Sequence, residues 1–123
     1  MPSSTQSRPA SPPAEILAGK QTATMTFPQK VWTLTAQIPA GRVATYRQIA
    51  LALNGRAYRA VGQALHNNPY APAVPCHRVV ASNGRLTGYA GGLAKKARLL
   101  TKEGVQCSHS KVVDLATHLH HFA

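Results

Sequence analysis

Cys76 and His77, adjacent in the chain, are the residues best suited to covalent chemistry. A cysteine attacks as the thiolate, and a histidine, nearby cations or a helix N-terminus populate that form near neutrality by lowering the thiol pKa. Here the sulfur sits in Pro75-Cys76-His77-Arg78-Val79, followed at once by two basic side chains. Neighbouring side chains of an extended strand face opposite ways, so the imidazole reaches the thiol proton only across a turn or through a bridging water. As an isolated pentapeptide the stretch is better read as a buried structural cysteine beside a surface histidine. The surrounding chain has to overturn that reading.

With 123 residues, 44% of them apolar, the chain fits one small domain whose core needs no disulfide. Fourteen Lys and Arg stand against Glu15, Glu103 and Asp114, a net charge of +11. Such an excess is the electrostatic footprint of phosphate-backbone binding, so nucleic acid is the expected partner. The sequence has neither the ~18 uninterrupted apolar residues of a membrane span nor a signal peptide. It is therefore expected to be soluble, monomeric and intracellular, in the cytoplasm or, in a eukaryote, the nucleus. Cys76 and Cys107 form no CxxC pair and are read as free thiols. His118, His120 and His121 lack cysteines or carboxylates at ligand spacing, so no metal and no cofactor is assigned.

The elements that must position Cys76 follow from capping signals and periodicity. Residues 1–25, rich in Ser, Thr, Pro, Gln and Ala, are expected to be a disordered tail, with at most a nascent turn at Glu15 to Leu17. The domain is expected over residues 26–107, and residues 108–123 as a C-terminal tail able to form a short helix. Thr26-Phe27-Pro28-Gln29 has capping-box spacing and opens a helix to about Gln37, which Pro39, Ala40 and Gly41 stop. Thr45-Tyr46-Arg47-Gln48 opens a second helix to about Leu53, closed by Asn54-Gly55. A third, from Ala57 or Tyr58 to His66, turns Val61 and Leu65 inward, while Ala60, Gly62 and Ala64 keep its outer surface low. Helix, short Gly-containing turn, helix is the helix-turn-helix pattern, and the net charge favours DNA over a plain helical hairpin.

Pro69, Pro72 and Pro75 stiffen the approach to Cys76. Val79 to Ser82, Asn83-Gly84 and Arg85 to Thr87 read as a β-hairpin, and Gly88-Tyr89-Ala90-Gly91-Gly92 as a pocket wall. From Leu93 to Glu103 a helix turns Ala97 and Leu100 inward and Lys95, Lys96, Arg98 and Lys102 outward. The expected fold class is thus mainly α with a short β-hairpin, built on a winged-helix-like helix-turn-helix. Glu103 is the only acid of the expected core, and its place at a helix C-terminus is unfavourable for the helix dipole. That points to a specific partner.

Gly41-Arg42-Val43-Ala44-Thr45-Tyr46, Arg59-Ala60-Val61-Gly62, Asn68-Pro69, Pro75-Cys76-His77-Arg78-Val79-Val80 and Gly88-Tyr89-Ala90-Gly91-Gly92-Leu93 occur in that order. Together they resemble the O6-alkylguanine-DNA alkyltransferases over about Phe27 to Gln106, the C-terminal DNA-binding and active-site domain of that family. The resemblance implies a protein that takes an alkyl group from O6 of a guanine flipped out of double-stranded DNA and keeps it on Cys76. It further implies that His77 is the base through a water, that Glu103 orients it, and that Asn68 braces the turn. Tyr89 would hydrogen-bond the guanine, and the region of Val79 and Ala90 would line its pocket. Tyr46 would crowd the phosphate of the rotating nucleotide and Arg59 would fill the stack, with Thr45, Ala60, Gly62 and Arg78 also on the DNA side. Three departures stand out: a short polar tail precedes Phe27 where the family commonly has a further domain, Tyr58 replaces a small residue, and Ala90 replaces a hydroxyl residue. The alternative is similar to the alkyltransferase-like damage sensors, which carry tryptophan at the cysteine position; Cys76 opposes it.

Overall fold

Two reciprocal capping boxes fix where the chain turns helical. The computed structural model describes residues 13–71, 73–89 and 91–122. After a single turn, α1 (Ala14–Leu17), comes α2 (Phe27–Ala36), opened by Thr26. Thr26 Oγ1 accepts from Gln29 N (3.4 Å), and Gln29 Oε1 accepts from Thr26 N (2.8 Å). The same exchange between Thr45 and Gln48 (3.1 and 2.8 Å) opens α3 (Tyr46–Ala52). Each box satisfies two backbone groups that the helix start would otherwise leave open. Asn54 ends α3 with φ 60°, a left-handed turn that asparagine tolerates, and α4 (Tyr58–His66) completes the helix-turn-helix. Trp32 of α2 locks onto α4 by donating its indole N–H to Ala64 O (2.8 Å).

A short parallel pair then ties this unit to the nucleophile. β1 (Ala44–Thr45) runs beside β2 (Val79–Val80), with Ala44 opposite Val79 and Thr45 opposite Val80. Parallel strands need a long crossover, and α3, α4 and the proline loop supply it. Side chains alternate along a strand. Ala44 and Val79 therefore enter a core with Val31, Ile49 and Val61, while Val43 and Val80 enter a second with Leu86, Leu100 and Val105. Beyond β2, α5 (Leu93–Lys102) is followed by β3 (Cys107–Ser108), β4 (Lys111–Val112) and α6 (Leu115–His118).

Three expectations change. The hairpin forms one step later than the turn signal indicates. Asn83-Gly84 does make a turn, with Ala81 N donating to Arg85 O (3.0 Å), but Val79 and Val80 are already paired with β1, and Leu86 N donates to Ser110 O (2.8 Å). The antiparallel pair is β3 with β4, inside the stretch that the sequence marks as the start of the tail. Order also begins before Thr26, because Ile16 is buried and Gln37 Nε2 donates to Gly19 O (2.9 Å); the expected disorder of residues 1–12 lies outside the described residues. Finally, residues 117–122 are fastened to the domain. Val43 N donates to His118 O (2.9 Å), His120 N to Val43 O (2.7 Å), and Phe122 packs on the first core. Among the described residues no helix is long and apolar enough to cross a membrane.

Thr45 was expected on the DNA side, but its side chain is 6% exposed and its hydroxyl is committed to the cap. Thr45→Ala should therefore cost about 1 kcal/mol of folding stability in urea denaturation. Thr22→Ala, which removes only an exposed hydroxyl contact, should stay within about 0.5 kcal/mol.

Candidate active site

The residues Cys76–Arg78 form one turn of 3-10 helix directly before β2. Consecutive side chains in such a turn diverge by about 120°, so neighbours in sequence reach different surroundings. Cys76 faces a cavity of about 230 Å3 together with Asn68, Tyr89, Gly91 and Leu99. His77 and Arg78 turn the other way, to Glu103 at the C-terminal cap of α5. The turn is braced from just beyond α4, where Asn68 donates Nδ2–H to Val74 O (2.9 Å) and accepts from Tyr70 N (2.9 Å).

Glu103 serves both basic neighbours. Its Oε1 accepts from Arg78 Nε (2.9 Å), and its Oε2 accepts from Arg78 Nη2 (2.7 Å) and pairs with His77 Nε2 (3.0 Å). The third arm of Arg78, Nη1, donates to Ile38 O (2.7 Å). Partial burial on its own would raise the Glu103 pKa, but the hydrogen bonds from Arg78 and His77 prevail and hold the carboxyl below its ordinary range. An ionised carboxylate only accepts, so His77 must present Nε2–H to it. The ring is 2% exposed, and burial lowers its pKa despite the opposing pull of Glu103. His77 is therefore neutral near pH 7, with an unprotonated Nδ1 that is buried and has no protein hydrogen-bond partner. That nitrogen is a poised proton acceptor.

Burial also raises the Cys76 thiol above its usual value, and Asn68 and the positive charge of Lys96 partly offset it. Without a proton acceptor the thiolate is scarce at neutral pH. Tyr89 lies edge-on to the His77 ring (6.5 Å between centroids, 82°), and burial keeps its hydroxyl protonated as a donor. On the other side Tyr46 donates to Thr87 O (3.1 Å), fixing its ring beside Arg47, Tyr58 and Ser82.

Several site residues sit where the sequence reading puts them, and several do not. Cys76, His77, Glu103, Asn68 and Tyr89 converge, while Arg59 and Ala60 are exposed on the first turn of α4. A Cβ on Gly62 would meet nothing within 4 Å, so the helix surface is open there. Ala64, by contrast, is buried under Trp32. Arg78 was expected at DNA, but all three of its hydrogen-bonding arms are taken by Glu103 and Ile38. Val79 is no cavity wall: it is fully buried in the core behind the turn through its pairing with Ala44. Ala90 lies outside the described residues.

Lys96 is the residue that sequence reasoning misplaced. Expected on the outer face of α5, it is 1% exposed, donates Nζ–H to Thr87 O (2.7 Å) and lies 6.0 Å from the centre of the Tyr46 ring. Burial lowers its pKa to about 8. A signal was available, because Lys96 is four residues before the buried Leu100, on the same stripe of the helix.

Residues 26–105 match the family described as 6-O-methylguanine DNA methyltransferase, DNA binding domain. The chain is similar to the methylated-DNA--protein-cysteine methyltransferase of Methanosarcina barkeri, 50% identical over 78 residues that cover 63% of this chain and 49% of the relative. In structure it resembles Mycobacterium tuberculosis OGT in complex with DNA, at 39% identity and a TM-score of 0.62 over 72% of this chain and 59% of that one. It also resembles S. pombe Atl1 in complex with damaged DNA containing O6-carboxymethylguanine, at 31% identity and a TM-score of 0.65 over 76% of this chain and 94% of that one. The chain spans about half the length of the curated relatives it matches.

Glu103→Gln replaces an acceptor that faces three donor arms with a group carrying donors of its own. It should cost about 2 kcal/mol of stability, in the range for disrupting partly buried hydrogen bonds to a charged group. The wild-type carboxyl titrates lower folded than unfolded, so its contribution is present above the ordinary value of 4.5 and is lost as the pH falls through the depressed folded value. Denaturation midpoints measured from pH 7 down to pH 3 should show that limb in the wild type and a shallower one in the variant.

Proposed function

The chain belongs to the 6-O-methylguanine DNA methyltransferase family through its DNA-binding domain, and from that membership we propose that it repairs O6-alkylguanine in double-stranded DNA by moving the alkyl group onto Cys76. The observation that carries the reading is the cavity that holds Cys76 and Tyr89 while His77, with Nδ1 free, backs the same turn. At about 230 Å3 it lies below the ~300–1,000 Å3 of typical small-molecule sites and suits a single base. A base inside a duplex cannot reach such a site, so the guanine must leave the stack. In this reading Arg59, exposed on α4, fills the gap it leaves, and Tyr46, hydrogen-bonded to Thr87, crowds the backbone of the rotating nucleotide.

In this reaction His77 Nδ1 takes the thiol proton through a water, and Glu103 stabilises the imidazolium as it forms. The sulfur attacks the alkyl carbon, a C–S bond forms, and the C–O bond breaks with its electron pair left on guanine. The departing guanine takes up the proton that the His77 imidazolium gives back through water, while Tyr89 hydrogen-bonds the base, so His77 returns to its neutral form. No metal or redox step is needed. A thioether, unlike a thioester, has no easy hydrolytic exit, so each molecule acts once.

Incubation with an O6-methylguanine duplex should add one methyl group per protein, mapped to the peptide containing Cys76. Cys76→Ala should gain no mass yet keep its DNA affinity, and Cys107→Ala should behave as the wild type. Multiple turnovers with unmodified Cys76 would instead indicate a hydrolase or demethylase. Damage binding without transfer is the second reading, which Cys76 opposes; tight binding to the lesion with no mass gain would support it. Arg59→Ala should slow transfer on duplex DNA at least about tenfold more than on a short single strand, because only the duplex has stacking to replace. Equal slowing on both substrates would remove that role.

A further inference from the structure

A lysine and a histidine at the acceptor cavity have no part in this reaction. Beside Cys76 the cavity is lined by the apolar Leu65, Ala71 and Leu99, and then by His66, the last residue of α4, and Lys95, on the first turn of α5. Lys95 is exposed but does not simply extend into solvent. A Cβ built on Gly91 would lie 3.1 Å from Lys95 Cδ and 2.9 Å from Tyr89 Cε2, so the lysine stem lies across Gly91 beside the tyrosine ring. The stem thus covers apolar surface and leaves the ammonium at the cavity lip. Both ion pairs among the described residues end on Glu103, so neither Lys95 nor His66 has a carboxylate partner. The cavity therefore joins an apolar floor to a lip with unneutralised positive charge.

The reacting carbon must touch Cys76 Sγ, so any further atoms of the alkyl group occupy this same cavity. We infer that the site selects alkyl groups that end in a carboxylate, with Lys95 and His66 as the specificity-determining residues for O6-carboxyalkylguanine over neutral adducts of equal size. The inference rests on the proposed transfer to Cys76 and specifies its substrate. Bonds change as for methyl: C–S forms, C–O breaks, guanine leaves with the electron pair and takes up a proton, and the protein keeps an S-carboxyalkyl cysteine. The carboxylate takes no part in the bond changes. It stays ionised against the ammonium, in a charge-assisted contact that strengthens when bound DNA excludes water.

The test is single-turnover transfer at saturating duplex carrying either O6-carboxymethylguanine or its neutral isostere O6-carbamoylmethylguanine at one position, followed by intact mass. The wild type should transfer carboxymethyl faster than carbamoylmethyl. Lys95→Met, which keeps the stem and removes the charge, should lower the carboxymethyl-to-carbamoylmethyl rate ratio about fivefold, as expected for an exposed ion pair. Lys95→Arg should restore most of the ratio, and His66→Gln should lower it in the same direction. Equal slowing of both substrates by Lys95→Met would assign the lysine to the DNA backbone and overturn the inference, as would a wild-type ratio at or below one. If the wild type gains no mass from either duplex, the transfer reading itself fails, and this outcome is distinct from an altered ratio.

Discussion

One carboxylate at the end of α5 carries two jobs that are hard to combine. Glu103 must accept from His77 to fix which ring nitrogen is free, yet an unshared carboxylate beside a buried imidazole would pull a proton onto it and abolish the base. Arg78 resolves the conflict. By holding both carboxylate oxygens it takes up much of the negative charge, leaving enough for one hydrogen bond to His77 but not enough to overcome the cost of burying an imidazolium. The proposed orienter, base and nucleophile therefore depend on three consecutive residues in a turn tight enough to send the sulfur one way and both basic side chains the other. The unfavourable place of an acid at a helix C-terminus is offset by the same guanidinium.

Two residues of parallel strand connect this chemistry to the DNA-binding helices. β1 leads straight into the cap of α3, and β2 starts where the cysteine turn ends, so the helix-turn-helix and the nucleophile meet through one backbone pairing. The side chains of that pairing feed both cores, which leaves little freedom for one half to shift against the other. Such rigidity suits the proposed acceptor, which would have to meet a base turned out of a duplex. Lys96 and Tyr46 continue the connection, both donating to the carbonyl of Thr87.

Much of this was legible because it rests on local rules. Capping boxes and helix periodicity gave the boundaries of α2, α3 and α4 to within about a residue, spaced motifs held Cys76, His77, Asn68 and Tyr89, and Glu103 stood out as the only acid of the expected core. The misses have a common cause, a long-range partner that outweighs a local preference. Val79 and Val80 would pair across Asn83-Gly84 if β1 were not available. Arg78 belongs at a polyanion until an acid 25 residues away is brought beside it. Lys96 reads as surface by residue type, although its spacing from Leu100 puts it on the buried stripe. The value of Thr45 lies in its cap, which the capping motif already announced.

The most direct test of this account is the protonation state of one ring. Long-range 1H–15N correlation spectra of the DNA-free protein at pH 7, with His77 assigned by comparison with His77→Gln, report which nitrogen carries hydrogen. The account predicts a neutral imidazole with hydrogen on Nε2 and none on Nδ1, turning to a mixture of neutral tautomers in Glu103→Gln. A wild-type His77 that is already an imidazolium at pH 7, or that carries its hydrogen on Nδ1, would contradict it.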